Sequence, residues 1–107
     1  MVQIWKPKEL NTFETEWGFS CMSYEISGAL GIKMAKPDQD VIVFVGDGSY
    51  LLQNSDIYSS VLYDKKLIIV VCDNGGHMVI NRLQLAKGGN EYLCNLNAAR
   101  ATNVQFV

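Results

Sequence analysis

Two runs of apolar residues punctuate the chain, and each ends in glycine beside an acidic or amide side chain. Val41-Ile42-Val43-Phe44-Val45 leads without a polar break into Gly46-Asp47-Gly48-Ser49, and Leu67-Ile68-Ile69-Val70-Val71-Cys72 leads into Asp73-Asn74-Gly75-Gly76. Short, unbroken apolar runs bounded by turn residues predict strands covered on both faces, as in a parallel sheet. Between them, Asn54, Ser55 and Asp56 offer an N-cap and a first-turn acid. Ile57, Tyr58, Val61 and Leu62 then mark an apolar stripe, so a helix is expected to run to about residue 63. Asp64-Lys65-Lys66 turns the chain into the second run, and strand, helix and strand together occupy about 32 residues, the size of a βαβ unit.

Upstream, Met22, Ile26, Ala29, Leu30 and Met34 recur at helical spacing and predict a helix over 23–35. Lys36-Pro37-Asp38 stops it, because proline disfavours helical geometry in the residue before it. Gly28 and Gly31 would each cost up to about 1 kcal/mol relative to Ala inside that helix, which predicts close approach of another backbone. Residues 17–22 read as a small-residue turn, and 1–16 as an irregular lead-in. Beyond Gly76 a short helix is expected over 78–86, ended by Lys87-Gly88-Gly89-Asn90, with a weak strand signal at 104–107. With no repeat, linker or low-complexity tract, residues 1–107 read as one α/β unit: a parallel sheet with flanking helices.

Composition narrows the class. At 107 residues the chain is one domain at most, near the small end of independently folding α/β units. Its 49% hydrophobic and 19% charged residues suit a globular segment. The net charge of −2 and the scattered Lys and Arg argue against a nucleic-acid partner. Cys21, Cys72 and Cys94 make an odd count without C-x-x-C spacing, and Cys72 falls where it would be buried, so a reduced, cytoplasmic setting is expected. The amino terminus lacks a signal-peptide core, and no apolar run approaches the ~18 residues that span a bilayer, so no membrane role is expected.

The chemistry lies where the two runs end. In a parallel βαβ unit both strands point the same way, so Asp47 and Asn74 emerge at the sheet edge where open α/β sheets place ligands. Mg²⁺ takes hard oxygen ligands and commonly combines one or two protein groups with phosphate oxygens and water. A carboxylate, an amide carbonyl and a glycine main-chain carbonyl would supply such a half-shell. Gly46, Gly48, Gly75 and Gly76 would let phosphate approach the backbone. Taken alone, either stretch is an ordinary turn signal. Their placement at matching strand ends suggests a metal-bridged diphosphate.

Gly46-Asp47-Gly48, then 24 residues, then Asp73-Asn74 resembles the cofactor motif of thiamine-diphosphate-dependent enzymes, which opens with GDG and closes with a pair usually written NN. Asp73 replaces the first Asn, a departure that spares the metal-ligand position. The resemblance implies a partial thiamine diphosphate-binding domain, with Mg²⁺ held by the side chains of Asp47 and Asn74 and the carbonyl of Gly76. Trp17-Gly18-Phe19-Ser20-Cys21-Met22-Ser23-Tyr24-Glu25, joined to Gly46-Asp47-Gly48-Ser49-Tyr50 and Ile80-Asn81-Arg82-Leu83-Gln84, is similar to a narrower branch. That branch hydrolyses a carbon–carbon bond of a cyclic 1,2-diketone in myo-inositol catabolism. It implies that Met22 props the two cofactor rings while main-chain groups near Ser20 and Met22, with Cys21 between them, meet the aminopyrimidine. Gly46, Gly48, Ser49 and His77 are expected around the diphosphate, although a solvent-facing loop position suits His77 equally.

The resemblance also implies an absence. The glutamate that activates the aminopyrimidine comes from a separate pyrimidine-binding domain, usually on a neighbouring subunit of a homo-oligomer. Glu9, Glu14, Glu16, Glu25 and Glu91 do not lie in a matching context, so no catalytic residue is expected in this chain. Asp73 should hydrogen-bond neighbouring backbone, Cys21 should be a packing residue, and Tyr50, Tyr58 and Tyr63 should only pack. Two alternatives stay open: another thiamine-dependent activity, such as acetolactate formation or 2-oxo acid decarboxylation, and a non-catalytic fragment that serves as an interaction module.

Overall fold

Strands β1, Ile42–Gly46, and β2, Ile68–Cys72, pair in parallel with Ile42 opposite Ile68 and Gly46 opposite Cys72. The computed structural model describes residues 5–95. Helix α1, Tyr24–Ala35, precedes β1; α2, Asp47–Leu52, and α3, Ser55–Leu62, fill the crossover; α4, Met78–Ala86, follows β2. This is the expected α/β arrangement, with both strands beginning one residue later than the apolar runs. Residues 5–23 contain no helix or strand. The weak strand signal at 104–107 lies outside the described residues.

The core is formed where α1 meets one face of β1. Ile26, Ala29, Val41, Val43 and Val45 are buried together, with Tyr50, Ile57, Leu67 and Ile69 packed against them. Each large aliphatic side chain so buried stabilises the fold by about 1.5–3 kcal/mol. Ser27 Oγ donates to Asp56 Oδ2 at 2.5 Å and ties α1 to α3.

Several expectations change on this frame. The crossover holds two helices, because α2 starts directly at Asp47 and the Gly-Asp-Gly stretch is a strand-to-helix junction rather than a free turn. The inward stripe of α1 is Ile26, Ala29, Leu30 and Lys33, whereas Met22 and Met34 are exposed. Lys33 can face inward because its stem is apolar and its Nζ donates to the Gln39 carbonyl at 2.6 Å. Gly28 accommodates a side chain rather than a backbone: a Cβ there would lie 3.0 Å from the Tyr24 ring, and one at Gly31 would meet nothing within 4 Å.

Coverage of both sheet faces is not realised either. Val45 is 2% exposed but Ile42 is 49%, and Ile68, Val70 and Val71 of β2 are all exposed. On the outer face Trp5 leans over Phe44, with ring centroids 6.1 Å apart. In α3 only Ile57 of the expected stripe packs inward, leaving Tyr58, Val61 and Leu62 exposed while Ser60 is buried. Cys72 is half-buried, Cys94 buried and Cys21 exposed, so Cys21 is not a packing residue here. No helix among the described residues is long and apolar enough to cross a membrane.

Candidate metal and diphosphate site

The carboxyl end of β1 delivers Asp47 to the start of α2, where its side chain is 7% exposed. The carboxyl end of β2 delivers the loop that receives it. Asp47 Oδ2 accepts the N–H of Gly75 at 3.1 Å, and Oδ1 accepts that of Asn74 at 3.5 Å. The Gly75 N–H is shared with Asp73 Oδ1 at 3.0 Å, so Asp73 bonds neighbouring backbone as expected. Gly75 and Gly76 have φ of 90° and 127°, a region that side-chain-bearing residues rarely enter. Those two glycines let the loop fold back over the carboxylate. It is anchored from the far side as well, because the His77 N–H donates to the Cys94 carbonyl at 2.8 Å and Gly76 bridges Asn95.

One terminal atom of the Asn74 amide lies 2.8 Å from the Gly76 carbonyl oxygen and 3.1 Å from Asp47 Oδ1. With nitrogen in that place, two hydrogen bonds close the cluster. That orientation satisfies the amide without an ion. In an octahedral shell with metal–oxygen distances of about 2.1 Å, adjacent oxygens lie about 3 Å apart. The two observed spacings are hydrogen-bond distances as well as shell-edge distances, so what speaks for Mg²⁺ is the hard-oxygen chemistry of the donor set rather than its spacing. Among the described residues no group of three His, Cys, Asp or Glu side chains could hold a metal. A site here would use one carboxylate, one amide and one main-chain carbonyl, a set of hard oxygens.

The remaining candidates divide between this cluster and the turn before α1. A Cβ on Gly48 would lie 2.5 Å from His77 Nδ1, so the imidazole occupies the space glycine leaves open and His77 is half-buried, not a solvent-facing loop residue. Gly46 closes β1 and caps α2 in extended geometry. Ser49 contributes its carbonyl, which accepts a 2.6 Å hydrogen bond from Ser23 Oγ. That bond joins α2 to the residue following Ser20, Cys21 and Met22. Ser23 itself, 1% exposed with φ 72°, caps α1. The turn is otherwise exposed, and Met22 projects from it.

Sequence reasoning missed two residues that shape these groups. Ser23 was hidden because a serine among small residues carries no distinctive pattern. Glu16 was set aside as outside any catalytic context, yet its carboxylate accepts the N–H groups of Phe19 at 2.6 Å and Cys21 at 2.9 Å. The Phe19 N–H is the largest cause holding Glu16 below its ordinary pKa of 4.5, with desolvation pushing the other way and the N–H groups of Cys21, Ser20 and Gly18 adding to the depression. Two surface hollows, one lined by residues including Trp5 and Thr12 and the other by residues including Ile57 and Leu67, include neither Asp47 nor Asn74.

A family model described as the thiamine pyrophosphate enzyme, C-terminal TPP binding domain, matches residues 1–107. The chain belongs to this family. In this thiamine pyrophosphate enzyme domain the Asp47–Asn74 cluster falls at the paired strand ends. The chain is 45% identical over 97 residues, 91% of its length, to a 3D-(3,5/4)-trihydroxycyclohexane-1,2-dione hydrolase of Shouchella clausii. It is 47% identical over 91 residues to the enzyme of that name from Lacticaseibacillus casei and 42% over 92 residues to that from Bacillus subtilis, covering 85% and 86% of this chain. The matched regions make up 14–15% of those relatives, so the chain spans a small part of their length. No solved structure matches it.

Proposed function

We propose that this chain forms the Mg²⁺- and diphosphate-binding part of a thiamine-diphosphate-dependent hydrolase that cleaves a carbon–carbon bond of a cyclic 1,2-diketone in myo-inositol catabolism. The single observation that carries the reading is the convergence of Asp47, Asn74 and Gly76 at the carboxyl ends of the paired strands. The activity named for the relatives supports the substrate class. Asp47, Asn74 and the Gly76 carbonyl would hold the metal, and Gly46, Gly48 and Ser49 at the β1–α2 junction would flank the diphosphate, with His77 beside them. Ser20, Cys21 and Met22 would meet the ring portion. When bound, thiamine diphosphate supplies the electron sink that carbon–carbon cleavage beside a carbonyl needs. The residues of this chain hold and orient it. Its pyrimidine-side partner, a domain that supplies the activating glutamate, would come from elsewhere in the enzyme or from a neighbouring subunit of a homo-oligomer. The exposed apolar faces of β2 and α3 support such neighbours.

Calorimetric titration of thiamine diphosphate into the full-length protein, with and without Mg²⁺, tests the site. Wild type should bind in a Mg²⁺-dependent manner and Asp47→Ala should lose at least about a hundredfold in affinity, as expected for losing a charged ligand of a partly buried ion. Equal binding by the two proteins would sink the proposal. Product analysis with the cyclic diketone against pyruvate separates the hydrolase from an acetolactate-forming or decarboxylating enzyme.

A further inference from the structure

The turn at residues 17–22 owes its shape to one side chain outside it. Glu16 spans it with both carboxylate oxygens, Oε1 on the Phe19 N–H and Oε2 on the Cys21 N–H. Ser20, between these donors, is left-handed with φ 52°. A left-handed residue within such a turn swings neighbouring N–H groups toward one concavity, which an anion fills. A Cβ on Gly18 would meet Glu16 Oε1 at 3.4 Å, an ordinary contact, so the strap does not depend on glycine at that position. Hydrogen bonds to an ionised carboxylate are roughly twice as strong as neutral ones. The other end of the turn is fixed by Ser23, buried and bonded to the Ser49 carbonyl.

Two consequences follow from this geometry. The Phe19 and Cys21 donors are committed to Glu16, so a ligand at this turn must be met by its other main-chain groups and by the side chains of Ser20, Cys21 and Met22. Both oxygens of Glu16 are themselves occupied as acceptors, which fits an ionised strut and not a proton donor.

We propose that Glu16 is a positioning residue that fixes the ring-contacting turn at residues 20–22, and so sets affinity for the ring portion of the cofactor without acting on the diphosphate. This rests on the reading above, in which that turn meets the aminopyrimidine. Glu16 lies on the exposed lead-in and bonds to nothing in the Asp47 cluster, so its removal releases N–H groups to water and loosens the turn while the strand ends stay in place.

The test uses the full-length protein as wild type, Glu16→Ala and Glu16→Gln. Backbone amide exchange over residues 17–22 is measured without ligand, and thiamine diphosphate and inorganic pyrophosphate are each titrated in the presence of Mg²⁺. Glu16→Ala should speed exchange at Phe19 and Cys21 and weaken thiamine diphosphate by about tenfold, the size of one lost hydrogen bond to a charged group, with pyrophosphate affinity unchanged. Glu16→Gln, which keeps one acceptor oxygen, should fall between. Unchanged exchange in Glu16→Ala, or equal weakening of the two ligands, overturns the positioning role. A wild type that binds pyrophosphate but not thiamine diphosphate overturns the cofactor reading and the affinity part of this inference with it, whereas unaltered cofactor affinity in Glu16→Ala overturns the role of Glu16 alone.

Discussion

The two halves of the candidate site are built by opposite means. At the strand ends, a buried carboxylate is gripped by main-chain donors from the neighbouring strand, and the glycines let the chain close over it. At the turn before α1, an exposed carboxylate grips main-chain donors from within its own segment. The first half is assembled by the sheet and inherits its rigidity. The second is a local loop with a strap. A site meant to hold a charged, metal-bound group needs fixed oxygens, because misplacing a ligand by a fraction of an ångström spoils a Mg²⁺ shell. Apolar ring contacts tolerate more play, and a locally organised turn suffices for them.

Substitutions should therefore separate the halves. The largest effect is expected at Gly48, where a Cβ must displace the His77 ring. Gly48→Ala should destabilise the full-length protein by about 1–3 kcal/mol in thermal unfolding, and adding His77→Ala should recover part of the loss. If the two changes simply add, the contact has been misjudged. Asn74→Asp comes next, since it replaces an amide that can donate to Asp47 with a second negative charge. Its cost of about 1–2 kcal/mol in chelator should shrink when Mg²⁺ is added. A melting-temperature difference that ignores Mg²⁺ would remove the ion from the account.

Ser23→Ala breaks the bolt between the halves, the buried bond to the Ser49 carbonyl. It should cost about 1 kcal/mol and speed amide exchange on both sides of α1's start, where Glu16→Ala speeds it only in the turn. The smallest effect is a pH response confined to that turn. The folded-state pKa of Glu16 lies below 4.5, so the contribution of its carboxylate is complete above that pH and is lost as pH falls through the depressed value. Exchange at Phe19 and Cys21, corrected for the intrinsic pH dependence, should rise in that acid range in wild type and not in Glu16→Gln.

What was legible in the sequence follows the same division. The strands and α4 could be read because apolar runs and glycine breaks are written locally, and Asp47, Asn74 and Gly76 could be paired because parallel strands bring their ends to one edge. The short helix α2 could not be read, since Gly46-Asp47-Gly48 carries turn punctuation while the helix begins within it. The inward face of α1 was legible through Ile26, Ala29 and Leu30 but not at its ends, and in α3 only Ile57 of the apolar stripe packs inward. Ser23 and Lys33 face inward through hydrogen bonds to carbonyls far from them in the stripe pattern, and Tyr58, Val61 and Leu62 face away from the packed side of this chain. Glu16 left no signature because its partners are main-chain groups, which every residue possesses.

The double anchoring of the loop at Gly75 and Gly76 bears on the order in which the molecule can be made. Asp47 leaves the ribosome 28 residues before Gly75, and the Cys94 carbonyl that holds His77 comes later still. The βαβ frame can form from what has been synthesised by Cys72, because its contacts close within one crossover. The loop that carries Asn74 cannot take its final shape until the chain past Cys94 has emerged. Nascent chains arrested before and after that point should accordingly differ in the loop after β2 while sharing the same sheet.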